Sequence, residues 1–490
     1  MSEARFDLIV IGSGPAGRHG ALTAAKLGKR VALIDRRSMV GGVCIHTGTI
    51  PSKAIREAVL HLTAFNQRDV YGANYAVKHN ITMADLLAKA NHVIHSETDV
   101  IHSQMRKAGV SCFFGDAEFL SPNVVRVETG ADPVELTGKH ILLAVGTQPA
   151  RPTSLPFTPG KVIDSNELIE LRDLPRSIVI VGGGVIGTEY AAMLAAVGVQ
   201  VTLVDSRPKL MEFIDDEIGE NLQFRLREMG IRLKLGETLT HVEAGAAHED
   251  VTVNFESGKS MRAQTLLYCI GRQGATANLA LDKAGLQADD RGRLKVNEHY
   301  QTEVPHILAA GDVIGFPALA ATSMEQGRLS VMYAFKQLAE ETAKVFPYGI
   351  YTIPEISMIG QTEQQLSKAK IPYEVGIARY REIARGQLIG DPHGILKLLF
   401  HPQSRRLLGV HAIGTGATEI IHIGQVVMSA NMPIDYFVDT VFNYPTLAEC
   451  YKVAAMDGLA RVANNTSMDF AIEDAVIETP ALEIPIAAAA

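Results

Sequence analysis

The chain has 490 residues, 47% of them hydrophobic, and a mean hydropathy of +0.10. At roughly 100–200 residues per domain that length predicts about three domains with sizeable cores, and the composition excludes disorder for the bulk of the chain. A formal charge of −8, from 46 Lys and Arg against 54 Asp and Glu, excludes the basic footprint of a nucleic-acid binder.

The 4 cysteines are too few for a disulfide framework, and none is spaced as a C-x-x-C or zinc pair. They fit a reducing compartment. The N-terminus has neither the basic nor the apolar region of a signal peptide, and no apolar run approaches the ~20 residues of a membrane helix. None of the 16 His residues falls in an H-x-x-x-H or H-E-x-x-H pattern, so no metal site is expected. The expectation is a soluble, cytoplasmic, multidomain α/β protein without nucleic-acid or membrane partners.

The first predicted element is a buried strand, Phe6–Ile11, which feeds Gly12-Ser13-Gly14-Pro15-Ala16-Gly17. A helical stretch to Lys29 follows, then a strand Arg30–Ile34 ending at Asp35. The same pattern returns with one offset of 170 residues: strand Ser177–Val181, turn Gly182-Gly183-Gly184-Val185-Ile186-Gly187, and strand Gln200–Val204 ending at Asp205. This is an internal duplication of a βαβ unit. In each copy the first Gly makes the tight turn, the second admits a pyrophosphate to the backbone, and the third lets the helix pack on the strand. The helix N-terminus offers free N–H groups to the phosphates. Asp35 and Asp205 each lie 18 residues past the last Gly, where a carboxylate can accept a ribose hydroxyl. Two dinucleotides are therefore expected.

The C-terminal third differs. Gly394–Phe400 and Arg406–Ile413 read as an antiparallel hairpin, Ala417–Ala430 as an amphipathic helix, and Ala471–Ala490 as a mobile tail.

Gly41-Gly42-Val43-Cys44-Ile45-His46-Thr47-Gly48-Thr49-Ile50-Pro51-Ser52-Lys53 resembles the segment of the pyridine-nucleotide disulfide oxidoreductases in which two cysteines five apart lie beside the flavin of FAD. Ala144-Val145-Gly146-Thr147 and Cys269-Ile270-Gly271-Arg272 resemble that family's crossings between the FAD and NAD(P) domains. Ala310-Gly311-Asp312-Val313 resembles the stretch whose Asp holds the FAD ribitol. Asn443-Tyr444-Pro445-Thr446-Leu447-Ala448-Glu449 resembles the segment the partner subunit adds to the active site. The resemblance implies an α/β fold with two Rossmann-like domains and a C-terminal α+β dimerisation domain. Its divisions fall at 1–165 (FAD, first part), 166–289 (NAD(P)), 290–347 (FAD, second part), 348–470 (dimerisation) and 471–490 (tail). Gly42, Cys44, Thr49, Lys53, Gly146, Gly271 and Asp312 are implied to line the cofactor site.

Two departures bear on the chemistry. Thr49 occupies the second cysteine position, and Tyr444 occupies the position of the catalytic His. A disulfide reductase needs a dithiol and a proton shuttle; a hydroxyl forms no disulfide, and a Tyr with a pKa of about 10 shuttles protons poorly at neutral pH. The Cys-x4-Thr arrangement and the stretches Tyr351–Ser357 and Phe442–Thr446 resemble the soluble pyridine nucleotide transhydrogenases, a branch of this family. What that implies is a ping-pong transfer of hydride from NADPH to flavin N5 and on to NAD. Lys53 matches the family Lys near N5, and Glu189 its acidic partner. Asp205 favours a free ribose 2′-hydroxyl, whereas Arg207, with Lys209 nearby, can take a 2′-phosphate or serve only as a solvated loop cation. Cys44 reads as an inert relic or a free thiol. A flavin oxidase or quinone reductase, and a non-catalytic flavin-binding partner protein, remain as alternatives.

Overall fold

The computed structural model describes residues 4–465, apart from 37, 38, 73, 131, 247, 248 and 338–344; the expected tail at 471–490 lies outside the described residues. Strand β1 (Ala4–Ile11) leads through the first glycine turn into helix α1 (Pro15–Lys26), and β2 (Val31–Asp35) returns parallel to β1. Leu8, Ile9 and Val10 are fully buried, since this parallel part of the sheet is covered on both faces, which is why Leu8–Ile11 reads as an unbroken apolar run. The seven-stranded sheet continues from β2 to Ser111–Phe114 on one side. On the other side of β1 it runs to Val134–Leu143, where it also takes in Ile307–Ala309 from much later in the chain.

Helix α1 ends three residues earlier than the sequence expectation. Gly28 has φ +69°, and Lys29 N–H bonds back to Ala24 O at 3.1 Å, a left-handed glycine stop. Helix α2 (Thr49–Thr63) then carries Lys53.

The duplicated unit repeats this design as β3 (Ser177–Val181), α3 (Val185–Ala196) and β4 (Gln200–Asp205), followed by α4 (Asp216–Glu228). Its five-stranded sheet is all parallel. Val162–Asp164 lies before the boundary expected at 166, yet it pairs with Thr265–Tyr268, so backbone hydrogen bonding carries the second sheet into the preceding segment. Between the two sheets, Thr147–Pro149 and Arg272–Gly274 pair antiparallel where the chain crosses.

The C-terminal unit is a five-stranded antiparallel sheet centred on the hairpin of β5 (Ile395–Phe400) and β6 (Leu407–Ile413). Helices α5 (Ala417–Ser429) and α6 (Glu449–Asn465) follow it. One apolar cluster joins the units: Ile55 and Val59 of α2, Tyr190 of α3, Leu203 of β4, and Ile350, Ile395 and Ile413 of the C-terminal sheet. Lys53's helix is thus packed against the second nucleotide unit instead of standing free.

Candidate active site

Both glycine turns are built for close approach. A Cβ on Gly17 would sit 1.8 Å from Gly12 O, and one on Gly187 would sit 2.0 Å from Gly182 O, so only glycine lets each helix close on its strand. Gly12 and Gly182 have φ of +99° and +114°. Gly14 and Gly184 differ: nothing lies within 4 Å of an added Cβ at either. They are also the N-caps of α1 and α3, and neither supplies a side-chain cap, so the helix N–H groups stay available to an anion.

The duplication extends to a hydrogen bond. Ser13 N–H donates to Asp35 Oδ2 at 2.6 Å, and Gly183 N–H donates to Asp205 Oδ2 at 2.5 Å. Each turn thereby orients the carboxylate at the end of the next strand. Burial pushes the Asp35 carboxyl upward, against the pull of its bonds to Ser13. Burial also acts against Asp205, but there Arg207 outweighs it and holds the carboxyl below its ordinary range. The Arg207 guanidinium forms a fork on Asp205, Nε to Oδ1 and Nη2 to Oδ2, both at 2.9 Å.

A cleft of about 700 Å³ runs from Asp35 past Gly12 and Gly14 to Cys44, Lys53 and Asp312, then to Gly184 and Glu189. Gly42, Thr49, Gly146 and Gly271 also line it. Gly17, Gly182, Gly187, Asp205 and Arg207 are outside its lining; the first three shape the turns, and the last two stand beyond the far end. At the junction of the two halves Lys53 Nζ meets Glu189 Oε2 at 2.8 Å and Oε1 at 3.0 Å. Glu189 is 4% exposed. Tyr351 N–H donates to Glu189 Oε1 at 2.8 Å, and Lys53 Nζ lies 4.9 Å from the centre of the Tyr351 ring. All three units therefore meet at this ammonium.

The Cys44 thiol is pushed up by burial, with Thr49 opposing through its side chain, and all four cysteines are free. Burial also raises the Asp312 carboxyl, against the field of Arg272 and a 3.3 Å bond from Ser323 Oγ. Tyr444 does not reach this cleft: it is 68% exposed, beside Val441 at 90%. His411 is buried and His422 exposed.

Sequence reasoning missed Ser13, which donates from Oγ to Asp35 and accepts from Gly41 N–H at 2.8 Å, tying the Asp35 carboxylate to the segment that carries Cys44. Its place inside the glycine motif was the available signal. It also missed Thr47, whose buried Oγ1 lines the cleft without a hydrogen-bond partner. An orphaned hydroxyl and two open glycines facing one elongated cleft fit a bound dinucleotide cofactor.

The pattern of the pyridine nucleotide-disulphide oxidoreductases matches residues 6–327, and that of their dimerisation domain matches 346–455. A soluble pyridine nucleotide transhydrogenase of Mycobacterium bovis is 51% identical over 454 residues, covering 92% of this chain and 97% of that protein. This chain belongs to the pyridine nucleotide-disulphide oxidoreductases, in the branch of the soluble pyridine nucleotide transhydrogenases. The Aliivibrio fischeri protein of that name is 44% identical over 468 residues, 94% of this chain and 98% of its own length. Among solved structures, the HOCl-induced flavoprotein disulfide reductase RclA from Escherichia coli superposes with a TM-score of 0.82 at 28% identity, covering 92% of this chain and 99% of that one. The fold is thus shared with an enzyme named a disulfide reductase, whereas the sequence sides with the transhydrogenases.

Proposed function

We propose that this flavoenzyme moves hydride reversibly between NADPH and NAD by a ping-pong route in which the two nicotinamide dinucleotides use one site in turn, and that no redox disulfide takes part. The observation that carries this reading is the Lys53–Glu189 pair, which fixes a cation where the two nucleotide halves meet, beside a cysteine whose counterpart is Thr49. Bound FAD supplies the group that accepts and returns the hydride.

The chain's own residues do the placing. Gly12, Gly14, Gly17 and Asp35 hold the FAD adenosine and pyrophosphate, with Gly42, Cys44, Thr49, Gly146, Gly271 and Asp312 along the rest of its length. Lys53 stabilises negative charge as the cofactor is reduced, and Glu189 with Tyr351 keeps the ammonium in place. Gly182, Gly184 and Gly187 take the pyrophosphate of NAD(H) or NADP(H). Asp205 accepts ribose hydroxyls of NAD(H), and Arg207, rotating off Asp205, turns its fork to the 2′-phosphate of NADP(H).

We place FAD binding in 1–165 and 290–347, except that the strand Val162–Asp164 goes with the second sheet, NAD(P) binding in 166–289, and homodimer formation in 348–470. The working form is a cytoplasmic homodimer, supported by the dimerisation-domain match at 346–455. Among the described residues no helix is long and apolar enough to cross a membrane. The test is anaerobic: enzyme, NADPH and thio-NAD are mixed and the thio-NADH absorbance is followed. A catalytic rise supports transhydrogenation. No thio-NADH, together with fast NADPH consumption once oxygen or a quinone is admitted, would instead establish the oxidase reading.

A further inference from the structure

Lys397 of β5 is fully buried, and a buried lysine is costly without partners. Its Nζ lies 2.8 Å from Asp215 Oδ1 and 3.0 Å from Glu217 Oε2, and it also bonds Glu363 Oε2. Asp215 is as buried as the lysine. It caps α4 through Glu217 N–H at 3.2 Å, and its Oδ2 accepts Glu363 N–H at 3.2 Å. Gln364 Nε2 donates to Ile214 O at 2.7 Å. His411 faces Lys397 across the hairpin, with burial keeping its imidazole toward the neutral form. The cluster thus gathers carboxylates from the second nucleotide unit and from the C-terminal unit around one ammonium.

The segment that ends in this cluster begins at the ribose carboxylate. Residues 206–214 contain neither helix nor strand. They join Asp205, which Arg207 grips, to Asp215. Leu210 of this segment packs on the glycine turn, its Cδ2 lying 2.4 Å from where a Gly183 Cβ would be. The Phe213 ring stands 5.4 Å from Tyr348, which lines the cleft.

We infer that Lys397 is a positioning residue for the dinucleotide's adenosine end: by gripping Asp215 and Glu363 together, it fixes the 206–214 segment and so the Asp205–Arg207 pair. The inference rests on the reading of that pair as the ribose site. A buried cation shared by carboxylates of two units permits one arrangement of the segment between them. Without it Asp215 is an uncompensated buried charge, and the 206–214 segment shifts to hydrate it. The nicotinamide end, held at Lys53 and Glu189, is outside this linkage.

The experiment uses FAD-loaded holoenzyme and two ligands that carry the adenosine end without nicotinamide, ADP-ribose and 2′-phospho-ADP-ribose, with Kd measured by calorimetry. Lys397→Met is expected to raise both Kd values about tenfold, with kcat at saturating nucleotide within about twofold of wild type. Asp215→Asn, which keeps the helix cap, is expected to do the same and serves if Lys397→Met does not fold. Unchanged Kd values in a folded variant, or a fall in kcat matching the loss of affinity, overturn the positioning role. Arg207→Ala separates this role from the ribose assignment. A selective loss for 2′-phospho-ADP-ribose there, with unchanged affinities in the cluster variants, overturns positioning alone. No loss for either ligand in Arg207→Ala overturns the ribose assignment itself.

Discussion

Thr49 stands five residues after Cys44 at the mouth of α2, and burial holds the Cys44 thiol above its ordinary range. A raised thiol pKa means a neutral sulfur at pH 7–8, with thiolate forming only as pH climbs past the usual thiol value. Iodoacetamide should therefore label Cys44 in the folded protein more slowly than a free cysteine peptide, and the gap should narrow as pH rises. Labelling as fast as the peptide at pH 7 would favour the free thiol over the inert relic. Restoring the second sulfur tests the same point from the other side. Thr49→Cys should give no measurable dihydrolipoamide or glutathione reductase activity, because Tyr444 still stands where the proton shuttle is needed. Lys53 is the residue whose loss should hurt most. Lys53→Met leaves Glu189 buried without its cation and should lower the rate of NADPH oxidation by roughly a hundredfold, measured by stopped flow.

The elements around the site obey rules that a sequence displays openly. The stretches Leu8–Ile11 of β1 and Ile178–Val181 of β3 are continuous apolar runs because helices cover one face and antiparallel strands the other, and each is followed by a glycine whose φ is positive. The two glycine classes within one turn predict opposite defects. Gly17→Ala forces a methyl against Gly12 O and should destabilise the protein by about 3 kcal/mol in denaturant melts, with or without FAD. Gly14→Ala has open space beside it, so the apoprotein should melt normally while FAD affinity drops. Equal melting losses in both variants would refute this division of labour. Helix ends were less legible than helix starts. The apolar pattern of α1 runs on to Lys29, and the stop comes from the left-handed turn at Gly28, a conformation that spacing does not reveal.

Across the whole molecule, three units share one apolar cluster, and ionic contacts bridge them, among them Lys53 with Glu189, Arg56 with Glu355, and Lys397 with Asp215. The C-terminal unit also leaves Val441, Tyr444, Val426 and Met456 at least half exposed in the single chain. If a second copy covers this surface, Val441→Glu should shift sedimentation from dimer to monomer and remove activity in proportion. An active monomer would show that the partner adds nothing to the site.

The sequence by itself determined the duplication, the two carboxylates, and the substitution of Thr49 and Tyr444 in a disulfide-reductase pattern. Each is a matter of residue type at fixed spacing along one chain. Only the tertiary structure decided which groups meet. Lys53 and Glu189 are 136 residues apart, Lys397 and Asp215 182, and no local periodicity pairs charges over such distances. It also decided that Arg207 folds onto Asp205 instead of standing in solvent, and that Val162–Asp164 belongs with the second sheet. These outcomes depend on how the units close around a shared core, where desolvation penalises a buried charge that has no partner.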